Sequence, residues 1–276
     1  MNDIQDLVFQ FLEDGFCVTQ VPGIAEIRPK LLNAFSELIR DAEELGSKGC
    51  VKIRKSDLVT TSGHGWSWGC DHIHSPELRR QCLLDVVSFA PIPTIITHIL
   101  GSRVRFCGAH GHWSPTFYDY YLHWHRDTRP EHWEKGNPDN RSHVQVIIAL
   151  EEESVVWIVP ASHLRNLIPL EKKFITTNKH DPHPDQVIPR VPAGYALLLN
   201  TYTLHRAQCS SFRIRRALHF GFSRVGSKHE PGRKIKAWAW LKDVEFLSKQ
   251  TDFLREAILE EICEAADQGR YDRECI

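Results

Sequence analysis

Near residue 103 the apolar residues of this chain change period, and that change constrains the fold more than any other feature. Before it, Ile4, Leu7, Val8, Phe11 and Leu12 recur at helical spacing up to a stop at Asp14-Gly15. Ile27, Leu31, Phe35, Leu38 and Ile39 repeat the pattern over a second, longer helix. A third apolar helix is expected from Glu77 to Phe89, and a fourth from Pro93 to a cap at Gly101. Between the second and third lies a loop, Thr60 to Ser75, rich in Gly, Ser, His and Trp, which suits a lid. After residue 103, short runs rich in β-branched and aromatic residues alternate with turn-formers. They predict strands at Val104 to Cys107, Tyr118 to Arg126, His143 to Leu150, Val155 to Val159, Tyr195 to Asn200 and Ile214 to Arg224. The short connection from Leu150 to Val155 implies a tight hairpin.

Helices first and many short strands afterwards suggest a β-sandwich or jelly roll buttressed by helices, not an alternating α/β fold. One domain over residues 1–276 is expected: a mainly helical layer at 1–102, a β core at 103–225 and a helical extension at 226–276. In the extension, Val244, Leu247, Leu254, Ile258 and Ile262 predict a helix over Leu241 to Ala266. Its apolar stripe packs equally well on its own barrel or on a second copy, so monomer and homodimer stay open.

Charge excludes some partners. Lysine plus arginine total 34 against 35 acidic residues with no long run of one sign, which offers no foothold to nucleic acid or an anionic membrane. The first residues lack the basic and apolar regions of a secretion signal, and no apolar stretch is long enough to span a bilayer. A cytoplasmic protein is expected. Eight cysteines form no C-x-x-C pair, against a zinc ribbon or thioredoxin-type redox pair, and Cys107 and Cys209 are expected in or near the core sheets as free thiols.

The chemistry concentrates in Tyr120-Tyr121-Leu122-His123-Trp124-His125-Arg126-Asp127. On a strand, side chains two apart share a face, so His125 and Asp127 can reach one ion while Arg126 points away. About two H-x-[DE] triplets would arise by chance from this composition, and a surface polar strand end is the plain alternative. A second segment shifts the balance: His205 follows the apolar run Ala196 to Asn200, and the string Arg215-Arg216-Ala217-Leu218 begins ten residues later. Two histidines and a carboxylate on one face of Fe(II) leave three positions open, enough for a bidentate keto acid and O2. A buried arginine can then grip the distal carboxylate with its planar fork.

H-x-D, a distal histidine 78 positions after Asp127 and R-R-A-L beyond it resemble the phytanoyl-CoA dioxygenase family of Fe(II)/2-oxoglutarate oxygenases. Phe11-Leu12-Glu13-Asp14-Gly15-Phe16 is similar to that family's opening element, Val144 to Leu150 to its central strand, and Val159-Pro160-Ala161-Ser162-His163 to its V-P-G-S-H turn. The resemblance runs from about Phe11 to Arg224. It implies a double-stranded β-helix, a cupin-like jelly roll that is mainly β with flanking helices. It also implies Fe(II) bound by His125, Asp127 and His205, 2-oxoglutarate anchored by Arg215, and a polar contact to the co-substrate from Gln145. Arg215 is preferred to Arg216 because it aligns with the first arginine of the string and its neighbour should face the other side. The family's activity is oxidation with O2, releasing succinate and CO2: hydroxylation, or else desaturation or cyclisation. Asp127 stands where halogenating relatives have a small residue, which argues against halogenation. Two departures stand out: Arg206-Ala207-Gln208 replaces small residues after the distal histidine, and Ala161 replaces the turn glycine.

The expected substrate is a small metabolite, of specialised biosynthesis. A fatty acyl-CoA is the alternative within the family, and a cupin-like metalloprotein without 2-oxoglutarate, or a non-catalytic binding protein, lies outside it. Other residues carry two readings. His123 is a fourth ligand or pocket lining, and His110 and His112, which precede the ligand strand, are expected close to the pocket. His163 and His219 are structural. Trp66 and Trp68 close over substrate or anchor a loop, and Arg126, Arg129 and Arg224 bind an anion or are simply solvated.

Overall fold

Asp3 caps the first helix, α1 (Ile4–Asp14), by accepting a hydrogen bond from the Gln5 N–H, and Leu7, Val8 and Phe11 form its buried stripe. The helix stops where glycine allows a left-handed turn: Gly15 has φ 84° and its N–H returns to the Phe11 carbonyl at 2.9 Å. The computed structural model describes residues 3–48, 53–54, 68–114, 119–128, 134–136, 139–227 and 239–267. In chain order, α1 is followed by β1 (Phe16–Gln20), α2 (Pro22–Ser47), β2 (Ile53–Arg54), β3 (Gly69–Asp71), α3 (Gln81–Asp85) and α4 (Ile92–Leu100). Next come β4 (Val104–Trp113), β5 (Tyr120–Tyr121), β6 (His143–Ala149), β7 (Val156–Ile158) and α5 (Pro169–Thr176). The chain continues through β8 (Tyr195–Leu199), β9 (His205–Cys209), β10 (Arg216–Arg224), α6 (Val244–Ser248) and α7 (Asp252–Asp267).

The strands form a seven-stranded sheet in the order β1-β8-β6-β10-β4-β3-β2 and a three-stranded one in the order β5-β9-β7, every pair antiparallel. Strand alternation explains why the large sheet is buried on both faces. Val144, Val146, Ile148, Leu198, Leu218, Phe220 and Phe222 point outward into a core shared with α1, α2, α4 and α7. The intervening Ile147, Ala149, Leu197, Leu199 and Ala217 point inward and pack with Val156 and Ile158 of the small sheet. Each fully buried Val, Leu, Ile or Phe among them contributes about 1.5–3 kcal/mol. This is the double-stranded β-helix flanked by helices, as expected. Among the described residues no single helix is long and apolar enough to cross a membrane.

Several elements differ from expectation. The helical first third also carries β1, a sheet edge in register with β8 from Phe16↔Leu199 to Gln20↔Tyr195. The supposed lid contributes β3, which pairs with β4, while 55–67, and so Trp66, lie outside the described residues. The Glu77 to Phe89 helix begins only at Gln81 and tightens to a 3-10 turn at Val86–Ser88, because Leu78 and Arg79 fold back on the Ser75 carbonyl. β4 runs six residues beyond Cys107, being paired on both edges. Of Tyr118 to Arg126, Tyr118 is outside the described residues and only Tyr120–Tyr121 is regular strand. The hairpin at Leu150 to Val155 does not exist: β6 and β7 belong to different sheets, and the segment crosses between them with Glu153 paired to Val191. β9 and α5 were not expected, and the C-terminal helix is broken at 249–251 into α6 and α7.

Candidate metal centre

Two stretches of backbone place the three donors. His125 and His205 sit directly opposite each other and exchange both backbone hydrogen bonds, at 2.9 and 3.0 Å, in a bridge that extends the β5-β9 ladder past an irregular stretch. Two residues on, the Asp127 N–H donates to the Thr201 carbonyl at 2.7 Å. The alternation expected of a strand therefore holds although the segment is not one. Arg126 points the other way and is buried, its guanidinium donating to the carbonyls of Lys135, Ser162 and Arg165. It supports the loop behind the site and is not a surface cation.

One ligand atom from each of His125, Asp127 and His205 lies within 4.8 Å of the others, and among the described residues this is the one group of three or more potential ligands so disposed. Both imidazoles are oriented alike. Nδ1 of His125 meets the His123 carbonyl at 2.7 Å and Nδ1 of His205 meets the Thr203 carbonyl at 2.8 Å. A carbonyl can only accept, so Nδ1 carries a proton and, in the neutral ring, Nε2 presents its lone pair. The two Nε2 atoms stand 3.4 and 3.5 Å from the two Asp127 oxygens. Burial alone would raise the Asp127 pKa, but the facing imidazoles hold it well below the usual carboxylate range. Burial likewise opposes charge on His205, yet Asp127 raises its pKa above the ordinary value. Two neutral nitrogens and one carboxylate oxygen make a donor set that fits Fe(II).

A cavity of about 110 Å³ opens beside the triad, lined also by Gln145, His112, His219 and Arg215. The residues singled out in the sequence thus converge, with Arg215 and not Arg216 on the cavity. Arg215 is 3% exposed. Its Nε donates to Glu153 at 2.7 Å, one Nη donates to the Tyr120 hydroxyl, and the other lies 3.5 Å from Nε2 of His219. Burial opposes its charge, but Glu153 and Tyr120 keep its pKa above the ordinary value.

Sequence reasoning missed Glu153, and it gave His219 only a packing role: the residue is buried within β10 as expected and also lines the cavity, its ring 4.1 Å from that of His112. His123 is not in the ligand group. Its carbonyl orients His125, and its ring lies 5.5 Å from the His125 ring. His163 is structural as expected, buried and bonded to the Leu12 carbonyl, and Arg224 pairs with Asp139. Trp68 is buried, and Arg129 lies outside the described residues. Ala207, within the Arg206-Ala207-Gln208 departure after the distal histidine, forms part of the cavity wall.

No family model matches the chain, and no curated protein matches it in sequence. The fold does have solved counterparts. EctD from S. alaskensis in its apoform matches with a TM-score of 0.59 at 18% identity, over 84% of this chain and 80% of that one. AviO1 from Streptomyces viridochromogenes Tue57 matches at 0.54 and 15%, over 84% and 99%. SnoN, the non-heme alpha ketoglutarate dependent epimerase from nogalamycin biosynthesis, matches at 0.52 and 13%, over 83% and 92%. EctD has been solved with 2-oxoglutarate and 5-hydroxyectoine and with bound Fe, and SnoN with Fe3+, alpha ketoglutarate and nogalamycin RO. At these identities the likeness is one of fold.

Proposed function

We propose that the chain is one Fe(II)/2-oxoglutarate-dependent oxygenase domain that oxidises a small molecule. The observation that carries this reading is the triad of His125, Asp127 and His205, with both imidazoles turned Nε2-first toward the carboxylate. Counterparts of the same fold bind iron and 2-oxoglutarate, which supports the same cofactors here. Iron loaded with 2-oxoglutarate and O2 supplies oxidation of an unactivated C–H bond, coupled to release of succinate and CO2. The protein's part is positioning. His125, Asp127 and His205 hold the metal on one face. Glu153 grips Arg215 along its Nε edge, so the guanidinium end beside His219 and Tyr120 is directed to the distal carboxylate of 2-oxoglutarate, and Gln145 adds a polar contact from β6.

The cavity is well below the ~300–1,000 Å³ that takes a drug-sized ligand, so it suits the co-substrate, and the substrate lies over its mouth. Asp127, with a third of its side chain exposed, marks that mouth. Among the described residues, Arg105, Arg126, Arg215 and Arg224 are each committed to acids or carbonyls and offer little to the phosphates of a fatty acyl-CoA. That favours the small-metabolite reading, and the phytanoyl-CoA dioxygenase family remains a resemblance. Succinate formed from 2-oxoglutarate by Fe(II)-loaded protein, measured by mass spectrometry, tests the reading. Iron-dependent succinate that falls to background in Asp127→Ala is expected. Succinate formation indifferent to iron or to that substitution would count against it.

A further inference from the structure

The inner face of the large sheet carries a polar row of which the iron and 2-oxoglutarate reading uses only the His219 end. His112 on β4 lines the cavity. His110, two residues earlier on the same strand, shares its face. In register, His110 lies opposite His219 of β10 on one side and Asp71 of β3 on the other. Asp71, His110 and His219 therefore cross three adjacent strands in a line that ends beside the triad. Elsewhere the inward positions of this sheet are mostly apolar, among them Ile147, Leu197, Leu199 and Ala217. Polar side chains placed there without a partner would cost stability.

The geometry gives His110 a defined chemistry. Its Nδ1 lies 2.8 Å from Oδ1 of Asp71, whose side chain is 10% exposed, while the His110 side chain keeps 25% of its surface. A carboxylate only accepts, so in its neutral form His110 carries its proton on Nδ1 and leaves Nε2 as a hydrogen-bond acceptor. In register Arg216 lies opposite Trp113, so His110 stands about 7 Å from His112 on the side away from Arg215, outside the lining of the cavity that suits the co-substrate. An Nε2 acceptor oriented by a carboxylate reads a hydrogen-bond donor.

We infer that Asp71 and His110 form a substrate subsite that accepts a hydroxyl or amine hydrogen, so the substrate is a hydroxylated or amino small molecule and not a phosphate-bearing thioester. The inference rests on the oxygenase reading of the adjoining cavity, because that reading puts the substrate at the mouth.

The full chain, both metal-free and loaded with Zn(II) and 2-oxoglutarate, is titrated with methyl glycosides, amino alcohols, their deoxy analogues and a fatty acyl-CoA. Imidazole 1H–15N spectra and equilibrium affinity are the readouts. A hydroxylated or amino probe is expected to move the His110 Nε2 resonance and to bind roughly tenfold more weakly to Asp71→Asn and His110→Phe. His110→Gln, whose amide oxygen still accepts, should recover part of the loss, which separates recognition from damage to the fold. Probes that leave His110 unmoved, variants that bind as wild type, no binding by any hydroxylated or amino probe, or binding by the acyl-CoA alone would each overturn the subsite. The metal-free arm does not depend on iron. A chain that binds the probes but forms no iron and 2-oxoglutarate complex keeps the subsite and loses the oxygenase reading, and the reverse pattern does the opposite.

Discussion

Glu151, Glu152 and Glu153 stand in a row, and nothing in the sequence prefers one of them. The fold gives each a different partner: Arg28 for Glu151, the exposed Arg190 for Glu152, and buried Arg215 for Glu153. Only the last bears on the site, which is why Arg215 was legible from its motif and its holder was not. Glu153→Ala leaves a buried guanidinium uncompensated and should destabilise the protein by about 3–5 kcal/mol, whereas the double change Glu153→Met with Arg215→Met should cost much less. Urea denaturation of the three proteins decides it, and a single variant within about 1 kcal/mol of wild type would contradict the pairing. His163 makes a pH prediction. Burial pushes its pKa down to about 4 from the ordinary 6.5, outweighing its bond to the Leu12 carbonyl. The folded state thus binds fewer protons than the unfolded between those values. The contribution, on the order of 3 kcal/mol, is full above pH 6.5 and is lost as the pH falls through about 4. Denaturation curves from pH 7 to 4 should converge for wild type and His163→Asn, and parallel curves would refute the assignment.

At the scale of elements, long periodic helices and apolar strands could be read from the sequence, and short pieces could not. β1 has only five residues with pattern enough to alternate, and β3 has three, so neither outweighs its surroundings without the neighbouring strand. β9 escaped notice because Arg206 and Gln208 break its apolar character. Burial comes to Arg206 from stacking, with Trp157 at 4.0 Å and Trp124 at 5.5 Å from its guanidinium carbon. The turn after α1 was legible, and the structure supplies its reason. The Gly15 carbonyl accepts from Asn200 at 2.8 Å and from the Thr203 hydroxyl at 3.2 Å, and Asp14 accepts from the Ala161 N–H. Ala161 itself adopts φ 57°, the left-handed conformation for which glycine is the usual residue. Gly15→Ala would set a methyl against the Thr203 hydroxyl and 2.7 Å from the His163 ring. It should cost at least about 1–2 kcal/mol from the backbone conformation alone. Because the Thr203 carbonyl orients His205, it should also weaken metal binding. Thermal melts and metal titration of the one variant test both effects, and unchanged metal affinity would show that the cap and the ligand are independent.

For the molecule as a whole, the helix-then-strand order and the two loose motifs were enough to anticipate two packed sheets with a candidate metal triad at one end. How the sheets divide the strands was not readable, since β6 and β7 are neighbours in sequence and belong to opposite layers. Closure of the site depends on that division, because the ligands come from the small sheet and its adjoining loop, while Arg215 and Gln145 belong to the large-sheet side. A metal that joins these parts should stabilise the folded chain. Mn(II) at a hundred times its dissociation constant contributes about 2.7 kcal/mol, a rise of roughly 5–10 °C in Tm for a chain of this size. His125→Ala should lose that rise, and an equal rise in the variant would place the metal elsewhere.

The most direct measurement is an anaerobic titration with Fe(II) and 2-oxoglutarate, following the weak visible charge-transfer band of the chelate. The band is expected in wild type, absent in His205→Ala, and formed in Arg215→Ala only at roughly tenfold more 2-oxoglutarate or beyond. Iron-loaded wild type that develops no band would contradict the assignment of 2-oxoglutarate and leave a metalloprotein of another kind.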